Sequence, residues 1–131
     1  MIEIYIDAAS AGNPGPSAIG IFIKNGKDSK TIAKYIGTYS NHEAEFIALK
    51  EALNICTNNH WSTVSIKTDS KLVSDAYEKK YVKNTLFQPL LKEIIELSHF
   101  IPLCFIQWVP STQNKVADQL ARSELIKWKN K

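Results

Sequence analysis

The chain has 131 residues, of which 44% are apolar, and this suits one folded domain over residues 1–131 with a full core. It contains no run of 18 apolar residues and no basic, leucine-rich start, so neither a membrane-spanning helix nor a signal peptide is expected. A formal net charge of +3 gives a mild bias towards polyanions and decides nothing by itself. Cys56 and Cys104 lack the spacing of a metal site, and we expect both to be reduced core residues of a cytoplasmic protein.

The first part of the chain carries the pattern of β-strands. Alternating and β-branched residues predict strands over residues 2–7, Ala18–Lys24 and Thr31–Tyr39. A turn is indicated by Pro14-Gly15-Pro16, and a hairpin is indicated by Asn25-Gly26. We therefore expect these three strands to form an antiparallel meander.

From Asn41 onwards, helical and strand patterns alternate. The first helix ends at Asn58-Asn59-His60, and its apolar stripe consists of Ala44, Ile47, Ala48, Leu49, Ala52, Leu53 and Cys56. After it we predict a short buried strand over Val64–Lys67 and a helix over Ser70–Tyr77. A further helix is marked by Leu90, Leu91, Ile94, Ile95 and Leu97.

The chain closes with one more strand and one more helix. The strand is predicted over Pro102–Val109 and the helix over Asn114–Trp128, with Ala117, Leu120, Ala121, Leu125 and Trp128 facing inward. The order βββαβααβα predicts an α/β fold, in which a mixed five-stranded sheet carries helices on both faces.

Four acidic residues fall where predicted elements meet turns or in a buried strand: Asp7, Glu45, Asp69 and Asp118. An isolated carboxylate on an apolar element is costly to desolvate and needs a partner. Asp7 ends the first predicted strand before a loop of small residues, which suits a metal and a closely approaching ligand. Asp69 follows a strand expected to be central, and ligand sites in open α/β sheets gather at the carboxyl ends of such strands.

Each acid also has a purely structural alternative. Asp7 could be a turn or cap residue, and Glu45 could be a helix acid favoured by the macrodipole. Asp69 could cap the following helix. Asp118 could be a surface acid that pairs with Arg122 one turn later. The residues alone leave these alternatives open.

Four segments of the chain, in order and spacing, resemble the type 1 ribonuclease H family. They are IDAASAGNPGPSAIGIFI, SNHEAEFIALKEAL, IKTDSKLV and NKVADQLAR. Each alone is a weak signal, but the set covers nearly the whole chain and resembles the short, reverse-transcriptase-like bacterial and archaeal branch. The resemblance implies strand order 3-2-1-4-5, with strand 2 antiparallel, and hydrolysis of the RNA strand of RNA/DNA hybrids.

The same resemblance implies a metal-dependent reaction in which Asp7, Glu45, Asp69 and Asp118 are the catalytic carboxylates. Two divalent cations roughly 4 Å apart would stabilise the attacking and leaving oxygens, and hard oxygen ligands suit Mg²⁺ or Mn²⁺. By analogy Asp7 bridges both ions and Asp118 holds the ion that activates water. Glu45 and Asp69 would hold the ion that faces the leaving group. The clustered negative charge predicts weak metal binding without substrate.

Substrate contacts are also implied by the resemblance. It places Asn41 and His42, with Ser10 nearby, at the minor groove, where the 2′-hydroxyl distinguishes RNA from DNA.

The DNA strand is expected to meet a second group of residues. The family's DNA-phosphate pocket maps to Asn13, Ser40 and Asn84, and its DNA-stacking aromatic maps to Phe87. Asn84 could instead be a plain helix N-cap, and Phe87 could instead pack in the core.

The chain departs from the family pattern at three places. Ala8 stands where the family usually has Gly, so the site could be crowded by a methyl group. Only Lys79, Lys80 and Lys83 remain of a basic protrusion, which predicts weaker and more salt-sensitive hybrid binding. The loop 109–113 lacks the His or Arg that assists other members, so low activity or a preference for Mn²⁺ is expected.

Three functions are therefore compatible with the sequence. The first is a ribonuclease H that acts on RNA/DNA hybrids, as a monomer, with no membrane and no obligate protein partner. The second is a nucleic-acid-binding protein of the same fold with weak or lost catalysis. The third is another nuclease of the wider superfamily, such as an exonuclease.

Overall fold

Five strands and four α-helices make up the fold in the computed structural model, which describes residues 1–131. The strands are β1 Ile2–Ser10, β2 Gly15–Asn25, β3 Asp28–Tyr39, β4 Thr63–Thr68 and β5 Leu103–Trp108, and the helices are α1 Asn41–Asn58, α2 Lys71–Lys79, α3 Gln88–Ser98 and α4 Lys115–Lys129. No helix is both long and apolar enough to cross a membrane.

The strands form one mixed sheet in the order β3-β2-β1-β4-β5. β2 pairs antiparallel with both β1 and β3, whereas β4 pairs parallel with β1 and β5. The predicted hairpin is present: Asn25 pairs with Asp28, and Gly26 between them adopts a φ of 64°, which glycine tolerates at no steric cost. The predicted fold class and strand order are confirmed.

Helices cover both faces of the sheet, as predicted. Ile4 and Ile6 of β1 belong to the main core cluster, together with buried side chains of α1, α2 and α3. Side chains alternate along a strand, so Gly20 of β2 faces the opposite side from its neighbours Ile19 and Ile21, which are in that cluster. On this opposite face lies α4.

Gly20 permits α4 to lie directly on β2. A Cβ at this position would collide with the carbonyl oxygen of Ala117 and would lie 2.8 Å from the backbone nitrogen of Ala121. No side chain fits into that space. Because Gly20 has no side chain, α4 can pack directly against the backbone of β2.

The first strand is longer than the sequence predicted. β1 continues to Ser10 because the small residues Ala8, Ala9 and Ser10 pair with Ile19, Ala18 and Ser17 of β2. Asp7 consequently lies inside β1 and not at its end. Backbone pairing with a well-formed neighbour overrides the low strand propensity of these residues.

The predicted apolar stripes of the helices match the buried residues only in part. In α1 the fully buried aromatic is Phe46, while Ile47 is only half-buried. In α4 Trp128 is exposed and stacks on Tyr35 of β3, with 4.2 Å between ring centroids. Periodicity alone does not show which side chains at the edge of an apolar stripe are buried, because this depends on how the helix packs on the sheet.

Both cysteines are free thiols, as expected. Cys56 is fully buried in α1, whereas Cys104 of β5 is only half-buried. The expectation of two core cysteines therefore holds in full for Cys56 alone.

Candidate active site

The four acids identified in the sequence line a single pocket of about 730 Å³. Asp7 lies in β1, and Asp69 directly follows β4; the parallel pairing of Ile6 with Thr68 sets these two acids side by side. Glu45 and Asp118 come from the N-terminal parts of α1 and α4, which approach from opposite faces of the sheet. The fold thus brings two strand acids and two helix acids together.

Asp7 is the most deeply placed of the four, with 9% of its surface exposed. Burial raises the pKa of Asp7 to about 8, and the negative charges of Asp69, Asp118 and Glu45 act in the same direction. The backbone N–H of Ala8 opposes this by donating to Asp7 Oδ1 at 2.8 Å. Without a cation, this carboxyl group holds its proton at neutral pH.

Asp69 is half-buried, and its position is fixed through its backbone. Its carbonyl oxygen accepts a hydrogen bond from Trp108 Nε1 at 3.1 Å. Burial raises the pKa of Asp69, while a hydrogen bond from the Asn114 side chain lowers it. The cap alternative for Asp69 was wrong, because the N-cap of α2 is Ser70, whose hydroxyl accepts from the N–H of Val73.

Glu45 turns its side chain into the pocket, where 14% of it is exposed. Its Oε1 lies 2.9 Å from Nδ1 of His42. Burial raises the pKa of Glu45, and the hydrogen bond and charge of His42 lower it. Glu43, not Glu45, serves the helix terminus, since it forms a capping box with Ser40.

Asp118 is more open than Asp7 and Glu45, with 38% of its side chain exposed. Arg122 Nε donates to Asp118 Oδ1 at 2.9 Å, so the predicted i, i+4 pair is present. The bond to Asp118 raises the pKa of the Arg122 guanidinium. Asp118 is therefore both paired on its own helix and part of the shared pocket.

The donor set suits a divalent metal ion, although the side chains do not enclose one as they stand. No group of three His, Cys, Asp or Glu side chains is close enough together to hold an ion. Two of the four acids are instead turned towards a basic neighbour on their own helix. Asp7 and Asp69 make no ion pair. Buried carboxylates without a cationic partner favour the binding of a cation that prefers hard oxygen ligands.

Several of the predicted substrate residues surround this pocket. Ser10 and Asn41 line it directly, and His42 is next to it through its contact with Glu45. The backbone N–H of Asn41 donates to Asn13 Oδ1 at 3.1 Å, which ties the loop after β1 to the start of α1. Ser40 is committed to capping α1, where its hydroxyl accepts from the N–H of Glu43.

Asn84 and Phe87 lie in the segment between α2 and α3. Asn84 is exposed, and its Oδ1 accepts from the N–H of Leu86, so it caps a local turn and not a helix. Phe87 is 7% exposed and packs on Phe46, with 5.2 Å between ring centroids. Core packing, the alternative for Phe87, is what the structure shows.

Three residues of the site were missed as site residues in the sequence. Lys115 and Arg122 are the only basic side chains that line the pocket. Asn114 is buried, and its Nδ2 donates to the carbonyl oxygen of Ile6, next to Asp7, at 2.8 Å. Lys115 and Arg122 could have been found from their spacing, because positions i−3 and i+4 lie next to Asp118 on the surface of a helix.

Comparison with known proteins relates the chain to hydrolases. A family model described as "Reverse transcriptase-like" matches residues 6–124. The chain is 44% identical to the protein named "Putative hydrolase EbsB" of Enterococcus faecalis, over 98% of this chain and 96% of that protein. It is 30% identical to a ribonuclease H of Helicobacter acinonychis, over 97% of this chain and 94% of that enzyme. Among solved structures, the ribonuclease H1 LC11 in complex with an RNA/DNA hybrid matches with a TM-score of 0.88 and 27% identity, over 97% of this chain and 98% of that one.

Proposed function

The chain belongs to the ribonuclease H family of hydrolases, and from this premise we propose that it is a metal-dependent endoribonuclease that hydrolyses the RNA strand of RNA/DNA hybrids. The observation that carries the proposal is the pocket shared by Asp7, Glu45, Asp69 and Asp118. A related enzyme of the same fold has been solved with such a hybrid bound, which supports the choice of substrate. We further propose that residues 1–131 act as one catalytic domain and as a monomer.

The four carboxylates would hold two Mg²⁺ or Mn²⁺ ions when substrate is present. Divalent cations at such a site polarise the scissile phosphate and lower the pKa of a bound water, so that hydrolysis proceeds near neutral pH. Asp7 and Asp69 contribute fixed ligands, since sheet pairing and the Trp108 hydrogen bond hold their backbones. Glu45 and Asp118 would contribute ligands whose side chains are oriented by His42 and Arg122.

The remaining polar residues would bind and orient the nucleic acid. Ser10 and Asn41 line the pocket beside the acids, where they can meet the 2′-hydroxyl groups of the RNA strand. The bond between Asn41 and Asn13 keeps these two segments together. A Cβ at Gly15 would lie 2.9 Å from the backbone nitrogen of Gly12, so this loop needs glycine at position 15.

Cleavage of a hybrid labelled on its RNA strand tests the proposal. The parent protein should cut it at internal positions with Mg²⁺ or Mn²⁺, and it should leave single-stranded RNA, duplex DNA and duplex RNA intact. A chelator and the Asp7→Asn variant should each abolish the cuts. Absence of cleavage with either ion would contradict the proposal.

One observation favours a second candidate, a nucleic-acid-binding protein of this fold with weak or lost catalysis. It is the arrangement of the acids, no three of which enclose a metal ion as they stand. Tight hybrid binding by the parent, unaffected by Asp7→Asn and without any cleavage, would favour this candidate. Digestion of single-stranded DNA from its ends would instead indicate an exonuclease.

A further inference from the structure

The pocket carries an unequal balance of charge. Four carboxylates line it, against only two basic side chains, Lys115 and Arg122. A phosphodiester strand that enters this pocket brings further negative charge. It therefore needs positive groups nearby besides any bound cation.

The two basic residues are in different states. Arg122 is engaged, because its Nε donates to Asp118 Oδ1. Lys115 forms no ion pair, although it stands one helical turn before Asp118 on the same helix. Lys115 is thus the one unengaged cation among the residues that line the pocket.

Lys115 also stands at the boundary of two clefts. The second cleft, of about 230 Å³, is lined on the sheet side by Tyr5, Phe22 and Lys24. Lys115 and Thr112 line both the second cleft and the carboxylate pocket. A chain leaving the carboxylates along this face therefore passes the Lys115 side chain.

The loop before α4 cannot supply this charge itself. Ser111 and Thr112 are neutral and line the pocket in a single 3₁₀ turn, Ser111–Gln113. Lys115 follows this turn after only one further residue, Asn114, whose side chain is anchored to β1. The anchored Asn114 holds the start of α4, and with it Lys115, at the rim of the pocket.

We propose that Lys115 contacts a backbone phosphate of the nucleic acid next to the scissile one, and so provides the positive charge that the 109–113 loop lacks. This deepens the proposed function and rests on it. The contact is electrostatic and independent of base sequence. Lysine is suited to it as a flexible point charge with three donors.

The salt dependence of hybrid binding tests this contact without requiring cleavage. Affinity is measured in the Asp7→Asn background, which keeps the hybrid intact, for Lys115→Gln, Lys115→Arg and Lys127→Gln. The matched control Lys127 is an exposed lysine of the same helix that lines none of the clefts described, and its replacement changes the net charge equally.

Each phosphate contact adds about −0.9 to the slope of log affinity against log salt. Lys115→Gln should remove that increment, so its affinity loss between about 50 and 200 mM salt should be about threefold smaller than in the background protein. Lys115→Arg and Lys127→Gln should keep the background slope. Equal slopes for Lys115→Gln and Lys127→Gln would overturn the assignment.

Cleavage by the parent separates this inference from the proposed function. A parent that cuts the hybrid, combined with an unchanged slope for Lys115→Gln, contradicts the phosphate contact alone. A parent that does not cut, combined with a reduced slope, contradicts the nuclease and retains the contact. Thermal unfolding of each variant shows whether any loss of binding comes from misfolding.

Discussion

The acids borne by strands and the acids borne by helices reach the same pocket in different ways. Asp7 and Asp69 are held by the parallel pairing of β1 with β4 and make no ion pair. Glu45 and Asp118 come from the two faces of the sheet, and each is paired with a basic residue on its own helix. The strand acids are held by the sheet and have no ion-pair partner, whereas each helix acid has a partner on its own helix.

This difference assigns separate tasks to the two pairs. The sheet keeps desolvated carboxylates in a fixed position, which creates a demand for positive charge. The helices add carboxylates that already have a hydrogen-bonding partner on the same helix. These roles can be tested with variants that change a strand acid, a helix acid or the partner of a helix acid, one at a time.

The largest expected effect is the difference in kcat between a variant that lacks a strand acid and a variant that lacks a helix acid. Asp69→Asn should lower kcat by at least about a thousandfold, whereas Asp118→Asn should lower it by about ten- to a hundredfold. The reason is that Asp69 has no cationic partner to replace, while Arg122 already balances part of the charge of Asp118. Single-turnover cleavage of a labelled hybrid measures both, with thermal unfolding as the control. Equal losses would remove the distinction between the two pairs.

The second effect is on stability and its pH dependence in the absence of metal. The folded-state pKa of Asp7, about 8, lies above its value in the unfolded chain, which is about 3.9. The stability contributed by this proton is complete below the unfolded value and is lost as pH rises through the folded value. The free energy of unfolding of the parent should therefore fall between about pH 5 and 8, by up to about 4 kcal/mol.

Asp7→Asn removes this titration and should be more stable than the parent at pH 8. A smaller slope should remain in the variant, because burial also raises the pKa of Glu45 and Asp69. Denaturant unfolding with a chelator at pH 5 and pH 8 measures the difference. If the free energy of unfolding has the same pH dependence in parent and variant, the titration of Asp7 does not control the stability of the fold.

The smallest expected effect concerns the partner of a helix acid. Arg122→Gln should lower activity by about tenfold, because it releases Asp118 from its orientation, while the melting temperature changes little. Arg122→Lys should restore only part of the loss, since it lacks the planar donor geometry. Lys34→Gln is a matched control, because it breaks the exposed pair with Glu51 away from the pocket. Equal activities for Arg122→Gln and Lys34→Gln would show that Asp118 needs no positioning partner.

The sequence allowed prediction of the parts that local pattern controls. Periodicity gave the element types, because apolar spacing is set by the local sequence. The strand order followed from the family resemblance. The four acids were singled out from their places at element ends or in a buried strand, and the family resemblance implied that they act together. Their convergence in one pocket is set by the fold.

Other features depend on packing that no local pattern records. Asp7 lies within β1 because β2 pairs with the small residues beyond it. Phe87 is buried because α1 presents Phe46 to it, and Trp128 finds Tyr35 only after α4 has docked at Gly20. The role of Lys115 likewise depends on where α4 begins relative to the sheet.

The hydrogen bond from Asn114 to Ile6 joins residues 108 positions apart in the chain. It completes the pocket only when the last helix has returned to the first strand, after most of the polypeptide has been synthesised. Contacts of such long sequence separation form late and slowly. A nascent or truncated chain that lacks α4 would thus present Asp7 without Asp118 and without the other pocket residues that α4 supplies.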